Sequence, residues 1–349
     1  MKFSEMQYTR PDYPAATKEL EALASRLEQA DSAKAQLEIY RELETLISHL
    51  TTQATLCSIR HTVDTRDPFY EEENDYNDQQ APLLEETMQK FRQALLASPY
   101  RAELEQQLGE LLFQNMELEE KGFAQSIVSL MQEENRLANE YQKLYASAQI
   151  PFQGKTVTVA QLGPYKESTD RATRRAALEA EGSFFDENRE QFDALFDKLV
   201  KNRTAQAKAL GFDSFVELGA IRRQRNCYTP EDAASFREQV VRDLVPLTVK
   251  IKERRAKRLG IEDFKFHDNA LSFKDGSATP QGTPEEIMAA GKKMYQELSQ
   301  ETAEFIDLMF ENDLFDVLAK EGKAPGGYCT SLPDYGCPFI FSNFNGTSG

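Results

Sequence analysis

Histidine and cysteine are the scarce residues of this chain. Its 349 residues include three histidines and four cysteines. Cys57, Cys227, Cys329 and Cys337 form no CxxC pair, and they are too few and too scattered for a disulfide framework. A reducing, cytoplasmic setting is the expectation. His49, His61 and His267 never fall at the i, i+4 spacing that sets two rings on one helical face, and no His-Glu-x-x-His occurs. The bland readings are a polar helix flank for His49 and local ion-pair or capping partners for His61 and His267. No apolar stretch approaches the ~18 residues a membrane span needs, and MKFSEMQYTR does not read as a signal peptide. Positive charge is also in deficit. Lys and Arg number 41 against 58 Asp and Glu, a formal net charge of −17, which argues against nucleic acid or an anionic membrane as the main partner. No Gly-x-Ser-x-Gly and no phosphate-binding Gly-Lys-Ser/Thr loop is present.

Apolar periodicity is abundant. Leu37, Tyr40, Leu43, Leu46, Ile47, Leu50, Ala54 and Cys57 recur at three-to-four spacing and predict an amphipathic helix from Ala33 to about Val63. Leu83 to Leu95, Leu104 to Leu112 and Ile127 to Tyr145 predict three more, the makings of an antiparallel bundle. From Phe152 to Val159 the pattern breaks. Gly154-Lys155 reads as a turn and Thr156–Val159 as a short β segment. A boundary near residue 165 then divides the chain into 1–165 and 166–349.

Beyond it, Ser168 is the expected cap of a helix that Gly182 could bend and Gly211 ends. Asp213 restarts a short helix. Thr229-Pro230 and Thr283-Pro284 each pair a capping threonine with a first-turn proline; the first helix should close at Gly260 and the second run to about Lys320. The basic residues from Lys250 to Arg258 suit a solvated helix end, with anion binding as the alternative. After Gly322, glycine and proline crowd the chain, Phe339–Phe344 reads as a strand, and Asn345-Gly346 is a strong turn signal with little chain after it.

Several of these segments together resemble a known family. Asp64-Thr65-Arg66-Asp67-Pro68-Phe69-Tyr70, Glu134-Asn135-Arg136-Leu137 with Tyr141, and Asp170-Arg171 with Arg174 are similar to oligoendopeptidase F and its relatives in the thimet-oligopeptidase-like superfamily of zinc metallopeptidases. So are Ala207–Phe212 followed by Arg222 and Tyr228, Gly326-Gly327-Tyr328-Cys329, and Phe339 through Thr347. The resemblance spans essentially the whole chain. It implies a mainly α fold, a multi-helix wall around a deep channel, with a strand near 339–344 beside the active site. It also implies hydrolysis of short peptides by a zinc-dependent enzyme. The family's His-Glu-x-x-His is absent, so no residue inherits a metal-ligand or general-base role, and the natural protein is expected to continue beyond Gly349. A non-catalytic helical peptide-binding module or an inactive truncation is the alternative.

What the resemblance transfers is substrate contact. The Gly326-Gly327-Tyr328 loop is expected to border the cleft, with Tyr328 either donating to a substrate carbonyl or serving as a half-buried aromatic. Phe341, Asn343, Phe344, Asn345 and Gly346 are expected along the adjoining strand and turn, where a peptide could add to an edge by main-chain hydrogen bonds.

Overall fold

Short polar side chains start several of the helices. In the computed structural model, which describes residues 1–278 and 280–347, Asp12 accepts the Ala15 amide at 3.0 Å and opens α1 (Tyr13–Gln29). Ser32 caps α2 (Ala33–Val63), and Asp67 accepts from the Phe69 and Tyr70 amides at the head of α3 (Pro68–Leu96). Then come α4 (Arg101–Leu108) and α5 (Glu110–Gly122), parted by Gly109 at φ 93°, and α6 (Val128–Ala146). One core binds the first five helices through Leu20, Leu27, Phe91, Leu95, Leu104 and Phe113, all fully buried. Each such side chain contributes roughly 1.5–3 kcal/mol by leaving water.

The β segment expected near 152–159 is a hairpin of β1 (Ile150–Phe152) and β2 (Lys155–Val157), with Ile150 opposite Val157. Its turn residues, Gln153 and Gly154, both have positive φ, as a two-residue type I′ turn requires. Next are the single turn α7 (Gly163–Lys166), α8 (Arg171–Glu187), α9 (Arg189–Ala209) and α10 (Phe215–Arg222). The cap of α8 is Asp170, not Ser168; the Ser168 hydroxyl instead accepts the Asp170 amide. Gly182 lies within α8, and the break falls at Asn188.

Thr229 and Asp232 form a capping box for α11 (Pro230–Gln239). A π-helical stretch, Val240–Leu244, joins it directly to α12 (Val245–Leu259), which Gly260 closes in the left-handed conformation. None of the residues from Pro230 to Leu259 is buried. The basic run is solvated, apart from Arg255, which donates to the Asn269 carbonyl at 2.5 Å, and Arg258, which stacks 4.4 Å over Phe273.

The helix expected from Thr283 to Lys320 is three elements: α13 (Pro284–Leu298), α14 (Gln300–Glu311) and β3 (Phe315–Leu318). Ser299 forms a new capping box with Thr302 and turns the chain there, and Asp313 at φ 51° ends α14.

With β4 (Tyr328–Leu332) and β5 (Cys337–Phe344), β3 makes a sheet of order β3-β5-β4. β3 runs parallel to β5, with Phe315 opposite Ile340. β4 runs antiparallel, with Tyr328 opposite Phe341. The strand expected at an open edge is therefore the central one, because both its sides are already paired. Its inward residues Cys337, Phe339 and Phe341 pack on Leu56 and Ile59 of α2, and Phe3 completes that core 4.4 Å from Phe339. All four cysteines are free, and no helix among the described residues is long and apolar enough to cross a membrane.

Candidate functional site

The residues expected to meet substrate fall into two groups at one end of this sheet. The first gathers around the loop leading into β4. Gly326 has φ 83°, a conformation that favours glycine. At Gly327 a Cβ would lie 3.1 Å from the Phe341 carbonyl oxygen, so a side chain there would require β5 to give by a few tenths of an ångström. Tyr328 follows, stacked on Phe341 with ring centroids 4.7 Å apart and planes 4° from parallel.

The Tyr328 hydroxyl lies 2.7 Å from Thr62 Oγ1. Thr62 Oγ1 is within 2.9 Å of the Ser58 and Ile59 carbonyls, so its own proton goes to the helix and Tyr328 is the donor between the two. Burial pushes the phenol up to about 12. It therefore keeps its proton at neutral pH. Phe341 lies beneath, 1% exposed, and supports the loop without offering surface to a ligand. Asn343 is turned onto the loop: its Nδ2 donates to the Ala324 carbonyl at 2.9 Å and to the Gly326 carbonyl at 2.8 Å.

The second group lies past the end of β5. Phe344, Asn345 and Gly346 border a cavity of about 380 Å³ with Gln161, Ile287 and Leu318. Asn345 Nδ2 donates to the Ala160 carbonyl at 2.7 Å, and its Oδ1 accepts from Thr347. A methyl added at Gly163 would overlap that amide, so Asn345 closes over the α7 turn. A neighbouring cavity of about 550 Å³ opens beside β3, lined by Met288, Phe310, Phe315 and Val317.

β4 has no strand on its outer side among the described residues, and Cys329 and Ser331 are exposed along it. The sheet's outer strands are β3 and β4, and the edge of β4 comes immediately after Gly326-Gly327. The sequence signal for this was present in the Gly-Gly-Tyr-Cys run. Lys323, also in the glycine-rich stretch, carries no signal of its own as a site residue, yet its ammonium is entirely enclosed between β3 and β5.

Comparison with known proteins matches residues 3–123 to the peptidase M3 N-terminal domain and residues 164–349 to peptidase family M3. The chain belongs to peptidase family M3. It resembles a protein assigned as an oligoendopeptidase F at 45% identity and TM-score 0.98, and PZ peptidase A, solved with an inhibitor, at the same identity and score. A protein of Bacillus anthracis str. Ames, also assigned as an oligoendopeptidase F, matches at 41% identity and TM-score 0.98. Each match covers all of this chain but only 62%, 62% and 64% of the other. No curated protein matches it.

The described side chains of this M3 chain do not fit a zinc site. Among the described residues no three His, Cys, Asp or Glu side chains converge as metal ligands would. Each histidine has a local task. His49 Nδ1 lies 2.7 Å from Asp334, and buried His61 lies 2.9 Å from Glu71, which also meets Lys143. The His267 carbonyl accepts from Arg174. No chemical step is therefore routed through a metal held by these residues.

Proposed function

We propose that this chain is the peptide-binding portion of a zinc-dependent oligoendopeptidase acting on short peptides in the cytoplasm. Residues 1–165 form a helical wall and 166–349 the first part of the catalytic domain. The observation that carries this reading is the unpaired edge of β4 beside the Gly326-Gly327 turn. There an extended peptide can add as a further strand, and the glycines let its backbone come close. Family membership supports peptide hydrolysis, and PZ peptidase A, which this chain resembles, was solved with an inhibitor. Zinc would polarise the scissile carbonyl and activate water, on ligands other than the residues described here. Gly326, Gly327 and Tyr328 border the cleft. Phe341 and Asn343 hold that border in place, and Phe344, Asn345 and Gly346 shape its far end. The strong negative charge disfavours nucleic acid or an anionic membrane as a partner.

The test is binding of a fluorescein-labelled heptapeptide, AAFLAAK, to the 349-residue chain, with hydrogen exchange recorded with and without peptide. Saturable binding that protects amides in 327–331, with β5 unchanged, is the expected result. Saturation without any protection along β4 would refute this placement of the peptide.

A further inference from the structure

The ladder between β3 and β5 is interrupted. Its register shifts between Asp316 and Leu318, so carbonyls there lack the regular strand bonds. Lys323 fills the gap. Its ammonium lies 2.5 Å from Asp316 Oδ1, 3.0 Å from the Asp316 carbonyl, 3.0 Å from the Leu318 carbonyl and 2.5 Å from the Ser342 carbonyl. It also sits 4.5 Å over the Phe341 ring. Four acceptors, three of them main-chain and drawn from two strands, converge on three N–H donors. The side chain is 0% exposed.

Packing does not call for this residue, because an apolar side chain of similar length would fill the space without desolvating a charge. Joining two strands where their ladder fails is something a methionine cannot do. The adjoining backbone is also held. The Ala324 amide donates to the Thr62 carbonyl at 2.8 Å, and Asn343 binds the Ala324 and Gly326 carbonyls. The segment 323–326 is thus tied to β3, β5 and α2 just before it delivers Gly327, Tyr328 and the open edge of β4.

We propose that Lys323 is a positioning residue for peptide capture: its ammonium bridges the β3–β5 irregularity and thereby fixes the Gly326–Tyr328 loop and the β4 edge against the peptide main chain. This rests on the reading of that edge given above. Lys323→Met keeps the stem and removes the ammonium. In the full chain it should weaken AAFLAAK binding by at least tenfold and speed amide exchange across 324–330 by at least a hundredfold. Asp316→Asn, which keeps the ammonium and its three carbonyls, should weaken binding two- to fivefold, and it decides the matter if the methionine variant does not fold.

Leu20→Ala, in the distant helical core, lowers overall stability and should leave binding and loop exchange unchanged at temperatures where it is folded. Wild-type binding in a folded Lys323→Met, or in Asp316→Asn if the methionine variant does not fold, would overturn the proposal, as would equal losses in Leu20→Ala. If the unmodified chain binds no peptide, the edge reading itself falls and the capture role falls with it, whereas wild-type binding retained in Lys323→Met removes Lys323 alone.

Discussion

Replacing Asp268 with alanine should detach the segment 261–277 from α8. The Asp268 carboxylate is fully buried and receives Arg171 Nε at 3.0 Å, Arg171 Nη2 at 2.8 Å, Arg174 Nη2 at 2.8 Å and the Lys265 amide at 2.9 Å. Arg174 is itself 1% exposed. Removing one partner of a buried ion pair costs about 3–5 kcal/mol. The lower end applies, because Arg174 keeps the His267, Ser168 and Thr169 carbonyls. About 3 kcal/mol raises the local opening equilibrium roughly a hundredfold.

The helical arm from Pro230 to Leu259 should respond as well, since it buries none of its residues and leans on this segment through Arg255 and Arg258. Hydrogen exchange across 261–277 and tryptic cleavage within Lys250–Arg258 would report it. Burial by itself would raise the Asp268 carboxyl, but Arg171, the Lys265 amide and Arg174 outweigh it and hold the group well below the usual carboxylate range. A depressed folded pKa stabilises fully above the unfolded value near 3.9 and is lost as pH falls through the lower, folded one. The wild type should therefore loosen this segment only in strong acid, and the alanine variant should lack that step. Unchanged cleavage and exchange, or an increase equally large in the α1–α5 core, would refute the reasoning.

Two further substitutions probe other parts of the frame. Gly163→Ala should displace the Asn345 amide and break its bond to the Ala160 carbonyl. A loss of about 1–3 kcal/mol for the unpaired group would appear as a lower urea midpoint, with faster exchange near 158–163. His61 is held below its ordinary value by burial and then by the Lys143 charge, with Asp75, Asp78 and Asp67 opposing. The unfolded chain therefore takes up the proton first, and stability should fall as pH drops below about 6.5. His61→Gln should flatten the slope of urea stability between pH 6.5 and 5, and an unchanged slope would count against this account.

Local signals served the sequence reading well wherever a cap or a left-handed glycine marks an end. Thr229, Thr283, Gly211 and Gly260 all do what their types imply, and the α2 stripe is buried or half-buried as its spacing requires. α1 was equally legible in Ala16, Leu20, Leu23 and Leu27, although the periodicity traced above starts only at Ala33. β3 was not legible. Ile306, Met309, Phe310 and Leu314 keep helical spacing up to the strand, and the break falls on Asp313, a residue with no strong preference for ending a helix there.

Strand order is a long-range property. Nothing in Phe339–Phe344 says that residues 315–318 and 328–332 will flank it on both sides, so the middle strand reads as an edge. The candidate site divides in the same way. Gly-Gly-Tyr is visible as a turn of special backbone, whereas Lys323 looks like any surface lysine until the β3–β5 irregularity closes round it.

The first residues lie against the carboxy-terminal sheet and the helix before it. The Met1 ammonium donates to Asn312, 311 positions away, and Phe3 lies on Phe339. During synthesis residues 1–3 emerge long before Asn312 and Phe339, and they must wait until those residues have been made. Closing such a distant contact is slow relative to local helix formation. The α1–α5 bundle should therefore assemble before residues 1–3 settle on Asn312 and Phe339.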